Sequence, residues 1–275
     1  MVGWKVFCTF VCVNDTQKIA KYMIQDFVKT ANGYEYGYPR AAITADAVIF
    51  GFDGLKLRVL LIKRGVEPYV GKWALPGGFM RMEETIDECA KRELKEETGL
   101  DVPYLQQLGV FSAVDRDPRY RVVTVAFYAL AKVEPVRGMD DAMDADWFAL
   151  DEVIEEVRDE FGRRKMRVLV DLAFDHAEIL VAALERLRQD LHFEPVGFRL
   201  LPEKFSIPQV QRLYESILNV SFDRRNFHKK ILTTGILIDL DEKDIYAKHR
   251  AGSLYRFNMV EYYKMKDDSL GRFEF

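Results

Sequence analysis

Residues 84–98 form a long helical pattern that stops at Gly99, and the placement of its charges constrains the fold more than any other feature of the chain. At about 100° per residue, Asp87, Glu88, Lys91, Arg92 and Lys95 share one side, with Asp87–Lys91 and Glu88–Arg92 as i,i+4 pairs in the favourable order. That side is a balanced, solvated face. Glu93, Glu96 and Glu97 fall on the other side, at the azimuth of Ile86, Cys89, Ala90 and Leu94. Carboxylates therefore stand where the packed face should continue. Like charges at this spacing repel, and burying one unpaired carboxylate costs on the order of several kcal/mol. A bare Glu-Glu pair is an ordinary feature of a surface turn. Here the preceding Gly77-Gly78, the flanking Arg92 and the azimuth together call for a compensating positive charge. Mg²⁺ or Mn²⁺ would supply it, since both prefer carboxylate oxygens and bridge to substrate phosphates.

The chain has 275 residues, 31% of them charged and 49% hydrophobic, which suits one to two globular domains and excludes a disordered or collagen-like chain. Its sparse cysteines, Cys8, Cys12 and Cys89, suggest free thiols in a reducing compartment, the cytoplasm. No run approaches the ~18 apolar residues of a membrane span. The apolar stretch 4–13 lacks a basic leader and a cleavage site, and reads as a strand or an N-terminal extension. The net charge of −4 argues against a protein coated in basic residues, but it averages two unlike parts. Residues 196–275 carry 14 Lys+Arg and 11 Asp+Glu, net +3, which leaves −7 on residues 1–195.

Periodicity predicts an α+β body. A peripheral helix is expected over 15–30, closing at Asn32-Gly33, then strands over 43–52 and 55–63 about an Asp53-Gly54 turn. The glutamate helix follows, then strands at 105–114 and 121–133 flanking the polar loop 115–120, and a short strand at 147–150. Helices are expected near 151–158 and 168–189. Together these make a mixed sheet with helices on it. Two prolines and a glycine in 191–203 place a linker near Pro195, giving an extension over 1–40, a body over 41–192 and a tail domain over 193–275.

The tail is a clear pattern. Ser206-Ile207-Pro208-Gln209 is a capping box with Pro in the first turn, and Phe205 and Val210 take the positions of a hydrophobic staple. Val210, Leu213, Tyr214, Ile217 and Leu218 continue as one apolar stripe. A second helix begins after Ser221 or Asp223, and strands at 235–240 and 245–257 join through the turn 241–244. Helix, turn, helix and hairpin outline a winged helix-turn-helix. In the second helix Phe227 and Ile231 face inward, leaving Arg224, Arg225, Asn226, His228, Lys229 and Lys230 outward. Arg and Asn can read base edges in a major groove while Lys meets phosphate, and Lys248, His249 and Arg250 would sit on the wing. A solvated basic face is the plainer alternative.

The segment that begins at Gly78 resembles a complete Nudix box: Gly, five residues, Glu, seven residues, Arg-Glu-aliphatic-x-Glu-Glu-x-Gly-aliphatic. Gly78, Glu84, Arg92, Glu93, Leu94, Glu96, Glu97, Gly99 and Leu100 match it without departure. The resemblance implies an α/β/α sandwich that hydrolyses nucleoside diphosphates linked to another group. It also implies Mg²⁺ or Mn²⁺ on Glu93, Glu96 and Glu97, Glu84 as a further ligand, Arg92 orienting a glutamate, and Gly77 and Gly78 completing the site by their backbones. The base is left open among the glutamates. Lys63-Arg64-Gly65, 71–79 and 115–119 resemble bacterial ADP-ribose pyrophosphatases, and equally the Nudix-related transcriptional regulators of NAD and sugar metabolism. Arg64, Arg116 and Arg119 become candidates for phosphate contacts. Arg116 and Arg119 could instead pair with Asp115 and Asp117. Trp73 and Tyr120 could stack on a base or simply pack. The tail, with Asp175-His176 before it, resembles the same regulators, which implies a homodimer on double-stranded DNA with a nucleotide or sugar as small-molecule partner. Two functions stay open: a Nudix hydrolase fused to a DNA-binding winged helix, and a regulator whose Nudix domain senses a metabolite without cleaving it.

Overall fold

The computed structural model describes residues 27–30, 33–36, 39–193, 195–243 and 252–267. Residues 1–41 and 42–275 separate as two compact units. In the first, β1 (Phe27–Thr30) pairs antiparallel with β2 (Gly33–Tyr36). The helix expected over 15–30 is thus corrected at its C-terminal end, where the strand preference of Phe, Val and Thr prevails over an approximate helical spacing. The stretches 4–13 and 15–26 lie outside the described residues.

The second unit is built on a seven-stranded mixed sheet. Its centre is β3 (Ala42–Phe52), parallel along its whole length to β8 (Val122–Lys132), which pairs antiparallel with the edge strand β7 (Gln106–Phe111). On the other side of β3, β4 (Leu57–Arg64) pairs only through Leu57–Val59. The two strands then part. The short β5 (Trp73–Ala74) fills in against β4 and β6 (Gly77–Phe79) against Thr44–Asp46 of β3, while β9 (Ala142–Ala149) takes the outer edge of β4.

Strand alternation gives the sheet two apolar faces. Ala45, Ala47 and Ile49 of β3 pack with Cys89, Ala90 and Leu94 of α1 (Ile86–Thr98). Val48, Phe50 and Phe52 point the other way, onto Ile179, Ala183 and Leu187 of the helix His176–Phe193. The result is an α/β/α sandwich. Helix α1 starts at a Thr85–Glu88 capping box and ends on left-handed Gly99 (φ 73°), whose N–H returns to the Lys95 carbonyl.

Between β9 and the second layer helix the expected helices are corrected. Only α2 (Leu150–Val153) is helical, and Ile154–Arg158 is β10, paired with β11 (Arg164–Val168). The hairpin turn explains it: Asp159 Oδ1 accepts the N–H groups of Phe161 and Arg163, and Gly162 takes φ 75°. The following helix, α3 (His176–Phe193), starts eight residues later than the 168 expected.

The expected linker is part of the core. Residues Val196–Leu200 form a 3₁₀ turn whose Val196, Phe198 and Leu200 are buried. Beyond it lie α4 (Ile207–Leu218), α5 (Arg224–Thr233), β12 (Leu237–Lys243), β13 (Ser253–Phe257) and α6 (Met259–Asp267). The Ser206–Gln209 capping box forms, and Phe205 and Val210 are both buried. Residues 241–243, expected in a turn, continue β12 past a register shift between Asp239 and Lys243, with Asp241 at φ 54° absorbing the irregularity. The second strand is described as Ser253–Phe257, and residues 244–251 of its expected course lie outside the described residues. Among the described residues no helix is long and apolar enough to cross a membrane.

Candidate functional site

The gap where β3 and β4 part becomes a cavity of about 220 Å³. Helix α1 brings Arg92, Glu93, Glu96 and Glu97 to one wall. Arg92 is the hub: its guanidinium donates to both Glu84 oxygens (2.6 and 2.8 Å), to Glu93 Oε1 (2.6 Å), to Glu96 Oε2 (2.8 Å) and to the Phe79 carbonyl (3.1 Å). Hydrogen bonding to Arg92 holds the Glu84 carboxyl down at about 2. Glu84 itself stands behind Arg92 rather than on the cavity wall.

Glu97 is treated differently. Its side chain is buried, and among the described residues the hydrogen bond it accepts is from the Gly77 N–H, 2.8 Å from Oε2. Burial raises its pKa well above the ordinary 4.5, and the charges of Glu93 and Asp46 add to that. Glu93 is raised as well, chiefly by burial, against the pull of Arg92. The glycines that precede the helix are required by close approach. A Cβ on Gly78 would lie 2.5 Å from the Glu93 carboxyl carbon, and one on Gly77 would lie 2.3 Å from the Ala45 carbonyl oxygen.

Among the described residues no group of three or more His, Cys, Asp or Glu side chains is arranged as a metal cage, and Arg92 engages Glu84, Glu93 and Glu96. The donor chemistry nevertheless fits Mg²⁺ or Mn²⁺. All four donors are carboxylates, and the mutual repulsion of half-buried Glu93 and buried Glu97 would be relieved by a small dication.

Opposite the glutamates stand the cations. Arg64, at the end of β4, donates to the carbonyls of Pro68 (2.8 Å) and Val66 (3.3 Å) and lies 4.9 Å over the Phe174 ring. Among the described residues no carboxylate pairs with it. Burial, then the nearby Arg119, lower its pKa, against the charges of Glu97, Asp117 and Asp141. Arg119 is bidentate to Asp117 and lies over the rings of Phe79 (5.2 Å) and Tyr120 (5.7 Å). Arg116 differs from both. It is buried, clamps Asp175 with two bonds (2.9 and 2.7 Å) and reaches Asp46 at 3.3 Å. Neither Asp115 nor Asp117 is its partner. Tyr120 is half-exposed, 6.0 Å from the Phe79 ring, and is not part of the cavity wall. Trp73 packs edge-on to Phe148 at 4.7 Å, away from the site.

Sequence reasoning missed Thr44, Asp46, Phe79, Phe174 and His176, which also line the cavity. An Asp inside the apolar strand 43–52 was the available signal for Asp46. His176 Nδ1 accepts the Leu75 N–H at 2.9 Å, and burial keeps its pKa below the ordinary 6.5, so the ring is neutral and braces the turn that presents Gly77. The Thr44 hydroxyl is buried without a partner among the described residues.

The second candidate surface is α5. Asp223 caps it, accepting the Asn226 N–H at 2.9 Å. Phe227 and Ile231 are buried, and Arg224, Arg225, Asn226, His228, Lys229 and Lys230 are all exposed. Lys248, His249 and Arg250 lie outside the described residues.

The comparisons with known proteins cover both regions. The NUDIX domain model matches residues 41–169, and the NrtR DNA-binding winged helix domain model matches residues 197–257. An ADPR responsive transcriptional repressor, NtrR, of Acinetobacter baylyi is 32% identical over 228 residues, 82% of this chain and 85% of that protein. The chain belongs to the NrtR family. Its fold agrees with that of Shewanella oneidensis NrtR complexed with a 27mer DNA (29% identity, TM-score 0.62, 84% of this chain and 97% of that one). An ADP-ribose pyrophosphatase of Methanocaldococcus jannaschii is 36% identical over 143 residues, 52% of this chain and 73% of that protein. This NrtR-family chain therefore joins a Nudix domain to a DNA-binding winged helix.

Proposed function

We propose that this chain is a DNA-binding transcription regulator whose Nudix cavity takes ADP-ribose or a closely related nucleoside diphosphate derivative and still hydrolyses it. The observation that carries the reading is one cavity with two opposed walls. Four box residues, Arg92, Glu93, Glu96 and Glu97, face Arg64 and Arg119 across it, beside the unpartnered Thr44 hydroxyl. A diphosphate is the ligand whose charge suits Arg64, and the Phe79 and Phe174 rings give a base or ribose an apolar surface. Kinship with the Acinetobacter baylyi repressor and the archaeal ADP-ribose pyrophosphatase supports the same ligand.

Glu93, Glu96 and Glu97 would hold Mg²⁺ or Mn²⁺, and Glu84 would join them only by giving up its two bonds to Arg92. The ion supplies charge neutralisation on the diphosphate and a more acidic water. Arg92 fixes the rotamers of Glu93 and Glu96, and Gly77 and Gly78 let β6 approach the glutamates. Arg116 and Asp175 hold the loop that carries Arg119. Water adds to one phosphorus, the P–O–P bridge breaks, and AMP leaves with ribose 5-phosphate. Two copies on a twofold axis would set their α5 helices on half-sites roughly 34–36 Å apart.

The test has two arms. With Mg²⁺ or Mn²⁺ the full chain releases AMP from ADP-ribose, and Glu97→Gln removes most of that turnover; turnover unchanged in the variant overturns the catalytic assignment. Arg225→Ala and Lys229→Ala weaken binding to a duplex from the protein's own upstream region; equal and negligible binding by all three proteins at about 100 mM salt overturns the DNA assignment. A non-catalytic sensor is the second reading, favoured by the engagement of three glutamates with Arg92. It predicts saturable ADP-ribose binding with no AMP released.

A further inference from the structure

The β10–β11 hairpin carries charges that neither the cavity nor the winged helix uses. Its acidic residues are mostly engaged: Glu155 with Arg167, Glu156 with Arg188 and Asp159 with Arg163. Arg158, Arg164 and Lys165 are exposed, and among the described residues no carboxylate stands within ion-pair distance of them. Arg158 and Arg164 also face each other directly across the strands. Like charges in that position destabilise a hairpin, and a polyanion laid over them reverses the sign.

The middle of β10 is tied through Arg188 to the last turn of α4, the helix that precedes α5. Arg188 pairs with Glu156 at 2.6 Å and donates from Nε to the Ile217 carbonyl at 2.7 Å, so one side chain bridges β10 and the end of α4. Glu155 and Glu156 share a cavity of about 290 Å³ with Glu215, Ser216 and Asn219. Asp223, the N-cap of α5, follows shortly after Asn219. A helix-turn-helix presents the first residues of its second helix to the bases. Strands of five residues extend roughly 16 Å, and a two-stranded ribbon is a shape duplex DNA accepts.

We propose that the β10–β11 hairpin is a second DNA-contacting element, which grips backbone phosphates beside the half-site through Arg158 and Arg164 on one face of the ribbon, with Lys165 on the other face adding to the local positive field. The proposal rests on the DNA-binding reading of the winged helix. Phosphate contacts add affinity without sequence information, so the hairpin strengthens binding to any duplex while α5 selects the site.

The test is a triple variant of the full chain, Arg158→Gln, Arg164→Gln and Lys165→Gln, titrated against a duplex from its own upstream region and a random-sequence duplex of equal length between 50 and 200 mM salt. Affinity is expected to fall by roughly tenfold or more on both duplexes, and the log–log salt slope to shrink by about one unit for each phosphate no longer held, with the preference between duplexes kept. Hydroxyl-radical protection of the backbone flanking the half-site should disappear. Should the triple variant melt early, Arg164→Gln alone relieves the Arg158 repulsion and should still cost about one unit of slope. Unchanged slope and footprint, with binding still sensitive to Arg225→Ala, overturn the hairpin proposal and leave the winged helix reading standing. No binding by the unaltered chain overturns both.

Discussion

Glu84 and Glu97 show how one arginine decides the state of a carboxylate. Arg92 reaches Glu84 with two short bonds and keeps it ionised, whereas Glu97 faces Glu93 and Asp46 with the Gly77 N–H and the more distant charge of Arg64 in partial compensation. The sign for Glu97 follows from its direction of shift. Its folded-state pKa lies above the unfolded value, near 4.5, so its contribution to stability is full below that pH and is lost as pH rises through the folded value. Glutamine has no such loss. In metal-free protein Glu97→Gln should therefore raise Tm by a few degrees at pH 7 to 8, about 1 kcal/mol being worth roughly 2–4 °C in a chain of this size. The gain should vanish below pH 4.5, and calorimetry in chelator across that range checks it. A gain that grows on acidification would contradict the account.

At the scale of elements, α3 joins the two functions. Its first residue, His176, lies on the ligand cavity and braces the Leu75 backbone, while Arg188, three turns on, holds the last turn of α4. Removing Arg188 leaves the Ile217 carbonyl and the Glu156 carboxylate without that partner in a mostly buried junction. Arg188→Ala should cost about 1–3 kcal/mol in urea unfolding. A change within a few tenths of a kcal/mol would show that water replaces the bridge.

For the whole molecule, the main consequence is that, within residues 42–275, the α3 side of the body and the winged helix share one apolar cluster. The apolar cluster runs without a break from Val48 and Phe50 of β3 through Leu184 and Leu187 of α3 to Phe198, Leu213, Tyr214 and Phe227. Further bonds cross the same boundary, from the Leu57 N–H to Ser216 Oγ (2.7 Å) and from Arg212 Nε to the Gly54 carbonyl (3.1 Å). The body and the winged helix should then unfold together. Tryptophan fluorescence, weighted to the body by Trp73 and Trp147, and far-UV circular dichroism should give coincident thermal transitions. A separate early loss of helix signal would mean that the winged helix melts alone.

Much of this protein is written in local pattern. The glutamate spacing, the Thr85 and Ser206 caps and the inward Phe227–Ile231 pair depend on helix geometry and neighbouring residues, so the sequence by itself determined α1, the box residues and the basic face of α5. The hairpin at 154–168 was not readable as such, because its strands are set by cross-strand pairing and by the Asp159–Gly162 turn rather than by a strong period. The role of Arg116 was decided only by tertiary structure. Its partners lie 59 and 70 residues away, and only chain folding brings Asp175 and Asp46 to its guanidinium instead of the adjacent aspartates. The same holds for the burial of Glu97 and the joining of the two cores. A helix wheel shows which side chains share a face, and the parting of β3 from β4 decides what that face meets.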